Sequence, residues 1–276
     1  MGLNKDLAGK AYPTTTFEVT AESIEAFARA TNDDNERYLA GDESVGGPVY
    51  PIVSAFGSYM EAAMDPDLGA DLLRLVHGSE EHVLHRPVHV GDTLTVTPVL
   101  ESIETKDSGE TFTVAVVQTN EAGETVAETR GTMFIRGSGS RRAAVADARA
   151  TEEEREVVYE ESTKVDEDQP RRYAEASGDH NPIHLDEATA KMAGLPGVIL
   201  HGMCTMAIAA KAAVNGLADG DPTRLKRIAV RFSRPVLPGQ ELTTKFWKTG
   251  DTSYGFETYN PKGSAVIKAG TVEITT

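Results

Sequence analysis

The sequence Tyr-Ala-Glu-Ala-Ser-Gly-Asp-His-Asn-Pro-Ile-His-Leu occupies residues 173–185, and Gly-Val-Ile-Leu-His-Gly-Met-Cys-Thr-Met follows at 197–206. The first segment contains an acid, Asp179, and a histidine, His184, five positions apart. The glycine before the acid loosens the backbone, and the proline between the two residues disfavours helical backbone just ahead of it. The pattern therefore predicts a kinked turn that brings both side chains to one point.

The second segment predicts an apolar helix that begins near His201-Gly202. The first backbone N–H groups of a helix have no partner within the helix. An acid, an imidazole and such a helix end are together the groups needed for proton transfer beside a developing oxyanion. The stretch 173–206 therefore predicts a catalytic site, which the rest of the chain supports.

Composition limits the class of protein. The 276 residues are 39% hydrophobic, carry a net charge of −16 and include no run of about 18 apolar residues that could cross a membrane. This charge argues against nucleic acid or an anionic membrane as the main partner. The single cysteine, Cys204, and an N-terminus without an apolar signal segment predict a cytoplasmic protein.

The first half is predicted to contain a strand, a helix, an apolar helix and then a run of antiparallel strands. Apolar residues at helical spacing predict a helix at 21–30, with Thr20 as its N-cap, and a second helix at Val53–Met64. Residues 14–20 read as a short strand. Runs rich in Val, Thr and Leu, separated by turn residues, predict four further strands. These are His82–His89, Thr93–Glu104, Thr111–Asn120 and Thr125–Ile135.

The second half of the sequence repeats the first. Residues 27–39 align with 173–185 with five identities in thirteen, and residues 86–94 align with 234–242 with five in nine. The matched acid and the matched arginine are 53 residues apart in the first copy and 55 in the second. Two matches in register at nearly equal spacing predict a duplicated module of about 130 residues, longer than the repeats of solenoid proteins.

We therefore divide the chain into a first module at 1–136, a polar linker at 137–155 and a second module at 156–276. The two copies differ at the positions that carry chemistry. His184 aligns with Tyr38, and no His-Gly pair opens the apolar helix of the first copy. One active site per chain is expected.

The residues Ser177-Gly-Asp-His-Asn-Pro-Ile-His184, followed by Leu200-His-Gly-Met203, resemble the signature of the MaoC-like (R)-specific enoyl-CoA hydratases, also called hydratase 2. The resemblance covers about 160–276 directly and reaches the first half through the internal repeat. It implies an α+β fold, the double hotdog, in which each of two tandem modules wraps an antiparallel sheet around a long apolar helix. The first module would be a non-catalytic copy and the second the catalytic one.

The resemblance also implies a mechanism. Asp179 and His184 would hold the water that adds to C3 of a trans-2-enoyl-CoA, and the backbone N–H of Gly202 would receive the thioester carbonyl oxygen. The product would be an (R)-3-hydroxyacyl thioester, and the reaction would run in both directions. No metal or redox cofactor is expected, and coenzyme A enters only as part of the substrate.

Three neighbouring residues are expected to support these groups: Ser177, Asn181 and His201. Asn181 would brace the turn through backbone hydrogen bonds, and His201 would be structural or would line the substrate. His180 is expected to face solvent. Together with Asp179 the histidines could be imagined as zinc ligands, but their spacing matches no ligand motif and no metal is predicted.

Basic residues concentrate in one part of this acidic chain, at 224–234. Coenzyme A carries phosphate groups, which arginine binds well. Four residues are therefore candidates for CoA contacts: Lys226, Arg227, Arg231 and Arg234. Charges on an edge strand that prevent association explain any single one of them equally well.

Two other classes of function remain open from the sequence. A hotdog thioesterase would activate water against the thioester carbonyl, and release of free CoA would reveal it. A non-catalytic subunit that binds acyl thioesters would show binding without turnover. The expected partner is an acyl-CoA or acyl carrier protein thioester, and the sequence leaves open the chain length and whether two chains form a homodimer.

Overall fold

The computed structural model of the protein describes residues 2–137 and 155–276. The linker predicted at 137–155 therefore lies outside the described residues, apart from its two end positions. The first half contains, in chain order, β1 (Thr15–Glu18), α1 (Ala21–Ala30), α2 (Ile52–Met64), β2 (Leu75–Leu84), β3 (Thr93–Lys106), β4 (Gly109–Thr119) and β5 (Thr125–Arg136).

The second half repeats this order and adds one short helix. It contains β6 (Val157–Lys164), α3 (Gln169–Ser177), α4 (Glu187–Met192), α5 (Gly202–Leu217), β7 (Leu225–Phe232), β8 (Glu241–Lys248), β9 (Ser253–Tyr259) and β10 (Ala265–Ile274). Among the described residues, no helix combines the length and the apolar character that crossing a membrane requires.

The strands of the described residues form one antiparallel sheet in the order β1-β3-β4-β5-β2-β7-β10-β9-β8-β6. Strands at equal distances from the two edges of the sheet are equivalent strands of the two halves: β1 corresponds to β6, β3 to β8, β4 to β9, β5 to β10 and β2 to β7. The halves meet where β2 pairs with β7, and Glu81 lies opposite Ala229. These two residues are also equivalent in the repeat alignment that matches Arg86 with Arg234. A pseudo-twofold axis therefore passes between them.

Each half of the sheet packs on the longer apolar helix of its own module, α2 in the first and α5 in the second, while α1 and α3 pack on each other across the axis. Buried side chains from both halves form one continuous hydrophobic core. The α+β class and the two helix-on-sheet units are therefore confirmed. Packing α1 against α3 brings the two turns that follow these helices to the middle of the molecule.

The local predictions for the first half hold to within two residues, with one exception. The helix at 21–30 is confirmed with the same bounds. Thr20 and Ser23 cap it reciprocally, because each side chain accepts a hydrogen bond from the other residue's backbone N–H. Satisfying these amides at the first turn fixes where the chain enters α1.

The exception is the strand predicted at His82–His89, whose position is wrong, because β2 runs over Leu75–Leu84. It ends before Pro87, which has no N–H to give to a ladder. Its beginning is hidden in the sequence, because two side chains of its buried face, Glu80 and His82, are polar. The alternation of apolar and polar residues that marks a half-buried strand is therefore missing.

Candidate active site

Asp179 lies in the turn that follows α3. The helix ends at Ser177, and Gly178 adopts the left-handed conformation with a φ of 78°, which a side chain would strain. The Ser177 hydroxyl donates to the Tyr173 carbonyl oxygen (2.7 Å) and accepts from the Asp179 N–H (3.2 Å). Asp179 Oδ1 accepts from the Asn181 N–H (3.1 Å). This chain of hydrogen bonds fixes the direction of the Asp179 carboxylate.

His184 ends a short 3-10 turn, Pro182–His184, that completes the kink. Its Nδ1 donates to the Ile199 carbonyl oxygen at 2.8 Å. Because a carbonyl can only accept, Nδ1 carries the hydrogen and Nε2 presents a lone pair. Burial lowers the pKa of His184, although the nearby Asp179 carboxylate acts in the opposite direction. The site therefore holds a neutral imidazole with Nε2 available as a base.

His201 stacks on His184, with ring centroids 3.7 Å apart and ring planes 25° apart. Its Nε2 donates to the backbone oxygen of Asp179 at 2.9 Å. Burial, together with the neighbouring His184, lowers the pKa of His201 to about 2, so this ring stays neutral. Its Nδ1 is buried without a partner among the described residues. Its contacts brace the acid and the histidine on one side.

Asp179, His184 and His201 form one cluster, in which one ligand-type atom of each residue lies within 4.8 Å of the others. Carboxylate and imidazole are zinc ligands in general. Each ring uses one nitrogen on a backbone carbonyl, so His184 Nε2 and His201 Nδ1 remain for a further partner beside the Asp179 carboxylate.

The helix α5 begins beside this cluster, at Gly202. His201 is the N-cap residue and its side chain does not cap, so the first N–H groups of the helix are unpaired by it. A Cβ on Gly202 would lie 3.3 Å from the ring of Phe232. Glycine therefore allows Phe232 to pack closely while the backbone N–H stays accessible. A helix N-terminus with a free N–H stabilises negative charge on a nearby oxygen.

The corresponding corner of the first module is closed. Asp33 occupies the position of Asp179, but Tyr38 replaces His184 and is buried, with a hydroxyl that has no partner in the described chain. The cavity lined by these residues measures about 20 Å³, room for about one water. Burial raises the pKa of Asp33 to about 6, against the opposing effects of a backbone hydrogen bond and the Lys211 charge. This corner therefore lacks the imidazole that the second module places beside Asp179.

Asn181 and His180 belong to the same turn as Asp179 and His184. The side-chain oxygen of Asn181 accepts from the Ile183 N–H at 3.3 Å, so it stabilises the turn through the backbone. His180 is exposed and its nearest charged partner is Glu175, at 3.9 Å. Its exposure agrees with the expectation that it faces solvent.

The four basic residues proposed for CoA contacts divide into two pairs. Arg231 and Arg234 are exposed and lie at the end of β7 nearest Gly202. Lys226 and Arg227 lie at the other end of that strand, roughly 15 Å away at 3.3 Å per residue. There the Arg227 guanidinium pairs with a carboxylate of β2 at 2.6 Å. Only the first pair is adjacent in sequence to Phe232 and Ser233, and the Phe232 ring lies against Gly202.

Sequence reasoning missed two residues of this corner, Phe232 and His77. Phe232 lies against Gly202, and the ring of His77 meets Phe232 edge-on with centroids 5.0 Å apart. His77 belongs to β2, in the other module. The pair His77-Gly78 resembles a turn in the sequence. No sequence pattern near it indicates that β2 pairs with β7 of the second module.

Two family models match the chain. The MaoC like domain matches residues 148–268, and the FAS1-like dehydratase domain region matches residues 6–129. The two matches together cover both halves of the duplicated chain.

Several curated relatives are hydratases or dehydratases by name. The 3-hydroxyacyl-thioester dehydratase Y of Mycobacterium tuberculosis is 36% identical over 181 residues, which cover 63% of this chain and 62% of that protein. The peroxisomal enoyl-CoA hydratase 2 of Arabidopsis thaliana is 29% identical over 247 residues, covering 82% of this chain and 77% of that protein. The chain spans less than two thirds of some relatives, including 31% of the mouse peroxisomal multifunctional enzyme type 2.

A solved structure matches the entire fold. The crystal structure of a MaoC-like dehydratase from Phytophthora capsici superposes with a TM-score of 0.87 at 25% identity, covering 100% of this chain and 98% of that one. Solved structures of this shape include one described as a double hotdog. The double hotdog fold expected from the sequence is confirmed.

Proposed function

The chain belongs to the MaoC-like dehydratases, and we propose that it catalyses the (R)-specific hydration of trans-2-enoyl-CoA to (R)-3-hydroxyacyl-CoA, or the reverse dehydration. Asp179, His184 and the backbone N–H of Gly202 carry the reaction. The observation that supports this most is the pairing of an oriented carboxylate with a neutral imidazole, with one ligand-type atom of each less than 4.8 Å apart. One water molecule can hydrogen-bond to both.

The proposed chemistry is an addition without change of oxidation state, so it uses no redox cofactor. The water oxygen forms a bond to C3 of the enoyl thioester while one member of the Asp179–His184 pair takes a water proton. The electron pair of the double bond moves toward C2 and the thioester oxygen. A proton is then delivered to C2, so that one water adds in total. Proton transfer by positioned groups contributes about 10²–10⁴-fold.

The oxyanion is the second part of the proposal. As water adds, negative charge develops on the thioester oxygen, and the N–H of Gly202, which opens α5 directly after His201 of the Asp179 cluster, is the donor that this proposal assigns to it. A preorganised donor of this kind is worth about 2.7–4 kcal/mol in acyl-transfer enzymes. Because it strengthens as charge grows, it favours the transition state over the bound substrate.

Stereochemistry follows from the one-sided site. The carboxylate and the imidazole both belong to the turn after α3, so water attacks a bound thioester from the face that this turn covers. A single attacking face gives a single enantiomer of the alcohol, and the family signature at Ser177–His184 favours the (R) product.

The test is loss of the enoyl-thioester absorbance of crotonyl-CoA and longer trans-2-enoyl-CoAs, with chiral analysis of the alcohol. We expect the (R)-alcohol from the wild type and at least about 100-fold slower turnover from His184→Ala. Release of free thiol would identify a thioesterase instead. Binding without turnover at any chain length would identify a non-catalytic subunit.

A further inference from the structure

A buried network of polar side chains lies on β2, in the module that lacks the catalytic residues. Glu80 is buried, and its oxygens accept hydrogen bonds from His77 Nε2 (2.8 Å), His82 Nε2 (3.0 Å) and the Tyr59 hydroxyl (2.8 Å). Burial alone raises the pKa of Glu80, but the bonds from the two histidines outweigh it and lower the pKa to about 2. Glu80 is therefore an ionised carboxylate inside the core.

His82 lies between Glu80 and a backbone carbonyl. Its Nε2 is 3.0 Å from Glu80 Oε1 and its Nδ1 is 3.1 Å from the Pro48 carbonyl oxygen. Gly131 makes room for the network, because a Cβ there would lie 2.6 Å from the Tyr59 ring and 2.9 Å from Glu80 Oε2.

The network holds one ring with an available nitrogen. The register between β2 and β5 shifts between His77 and Ser79, so Gly78 is the extra residue of a β-bulge. In a regular strand, residues three positions apart such as His77 and Glu80 point to opposite faces of the sheet. The extra residue of the bulge changes this alternation, so the two side chains lie on the same face. The His77 Nε2–H is fixed on Glu80. In the neutral ring Nδ1 then carries a lone pair, and it makes no hydrogen bond with the described chain.

His77 faces the catalytic corner of the second module. Its ring lies edge-on to Phe232 at 5.0 Å between centroids, and Phe232 packs against Gly202. The His77 side chain is 19% exposed, whereas the Glu80 side chain behind it is 0% exposed. The ring is thus the accessible end of a buried network, one aromatic side chain away from the oxyanion position.

The duplication supplies an internal comparison. The repeat alignment places Leu225, Ile228 and Val230 at the positions of the three network residues of β2, and all three are buried aliphatic side chains. Leu225 lines a second small cavity, which shares Gly47 with the cavity at Asp33 and Tyr38. The fold therefore forms this strand without charges, and buried ion pairs often cost more than apolar packing. The charged version occurs only on the strand that faces the reactive corner, which favours a functional role.

We propose that His77 is a substrate-positioning residue of the active site, contributed by the first module. Its Nδ1 accepts a hydrogen bond from a donor on the bound thioester, either an amide N–H of the pantetheine arm or the 3-hydroxyl of the product. Glu80 acts through His77 by fixing its tautomer and direction. This assignment rests on the proposed function, because it places the thioester at Gly202.

Binding of two ligands tests the assignment and separates the two donors. Butyryl-CoA has the amides without the hydroxyl, and (R)-3-hydroxybutyryl-CoA has both. Dissociation constants are measured by calorimetry in an Asp179→Asn background, which prevents turnover. His77→Gln keeps a donor for Glu80 but loses the Nδ1 acceptor, whereas His77→Asn keeps an acceptor near the Nδ1 position. The matched control is His85→Gln, because His85 pairs with Glu128 at 2.9 Å on the exposed surface.

We expect His77→Gln to bind about five- to tenfold more weakly, the usual effect of one lost hydrogen bond, with partial recovery in His77→Asn and no change in His85→Gln. Equal weakening for both ligands assigns the amide, and weakening for the hydroxy ligand alone assigns the hydroxyl. Unchanged binding of both ligands overturns the proposal, and so does equal weakening in His85→Gln.

If His77→Gln does not fold, the test uses His77→Asn and His77→Ala. Wild-type affinity in His77→Asn supports the proposal, and a loss of affinity as large as that of His77→Ala overturns it. Absence of wild-type turnover alongside a His77 effect would remove the proposed reaction and leave this binding role.

Discussion

At the scale of single residues, Gly202 has the narrowest tolerance in the site. A methyl group there would meet the Phe232 ring at 3.3 Å, closer than carbon atoms normally pack. Gly202→Ala should therefore displace either the ring or the helix start and misplace the N–H. We expect kcat/KM for crotonyl-CoA to fall at least about tenfold, part of the effect of losing an oxyanion donor.

The control for this change is a second substitution. Adding Phe232→Leu to Gly202→Ala shortens the facing side chain and should restore part of the lost kcat/KM. A Gly202→Ala variant with wild-type kcat/KM would show that the start of α5 is not the oxyanion position.

The lowered pKa of His201 predicts that the stability of the protein depends on pH. Its pKa in the folded protein is about 2, below the ordinary value of 6.5, mainly because of burial. Below pH 6.5 the unfolded chain binds a proton that the folded chain does not, so the free energy of unfolding should fall as pH drops from 6.5. The loss from this residue is at most about 1.4 kcal/mol per pH unit.

Urea unfolding at pH 7.5 and pH 5.5 measures this dependence. We expect the wild type to lose more stability between the two values than His201→Asn, whatever the absolute stability of the variant. Equal losses in wild type and His201→Asn would contradict a neutral, buried His201.

At the scale of elements, the turn after α3 depends on Gly178. Its φ of 78° lies in the left-handed region, where an alanine costs about 1–2 kcal/mol. Gly123, in the turn between β4 and β5, has the same φ and the same open space around it, far along the chain from the site. The two glycines are therefore a matched pair for substitution.

We expect Gly178→Ala and Gly123→Ala to lose a similar free energy of unfolding, about 1–2 kcal/mol by urea denaturation. Only Gly178→Ala should also lower kcat, because the strain reaches the Asp179 carboxylate through the next peptide unit. A loss of kcat in both variants would show that the effect is general rather than local to the turn.

How far each element could be predicted from the sequence depended on whether its signal is local. The kinked turn and the start of α5 follow from Gly178, Pro182 and the apolar run after His201, and both occur where expected. The position of β2 could not be predicted locally, because its buried face carries the polar residues Glu80 and His82. These residues are explained only by hydrogen bonds to residues far away in the sequence. The contact of His77 with the second module likewise depends on the pairing of β2 with β7, which no local pattern shows.

At the scale of the whole molecule, the duplication places an active corner and a closed one in the same sheet. We propose that the modules divide at 1–136 and 156–276, with the first serving as a wall of the active site rather than a second catalyst. Asp33, the counterpart of Asp179, has a pKa raised to about 6 by burial. Above pH 6 it is ionised in an unfavourable place, so it should lower the stability of the fold.

Asp33→Asn should therefore stabilise the protein at pH 7.5. The raised pKa means that the folded chain keeps a proton between about pH 3.8 and 6 that the unfolded chain has lost, so stability decreases as pH rises through this window. The gain at pH 7.5 should be up to about 3 kcal/mol, from about two pKa units. It should disappear near pH 4, and a variant less stable than wild type at pH 7.5 would contradict the burial of this charge.

The same pair of acids gives the most direct test of one catalytic corner per chain. Turnover of crotonyl-CoA is followed by absorbance in the wild type, Asp33→Asn and Asp179→Asn. We predict that Asp33→Asn keeps the wild-type kcat within about twofold, while Asp179→Asn loses about 10²–10⁴-fold and still unfolds cooperatively. Comparable losses in both variants, or an active Asp179→Asn, would contradict the assignment of the reaction to the second module.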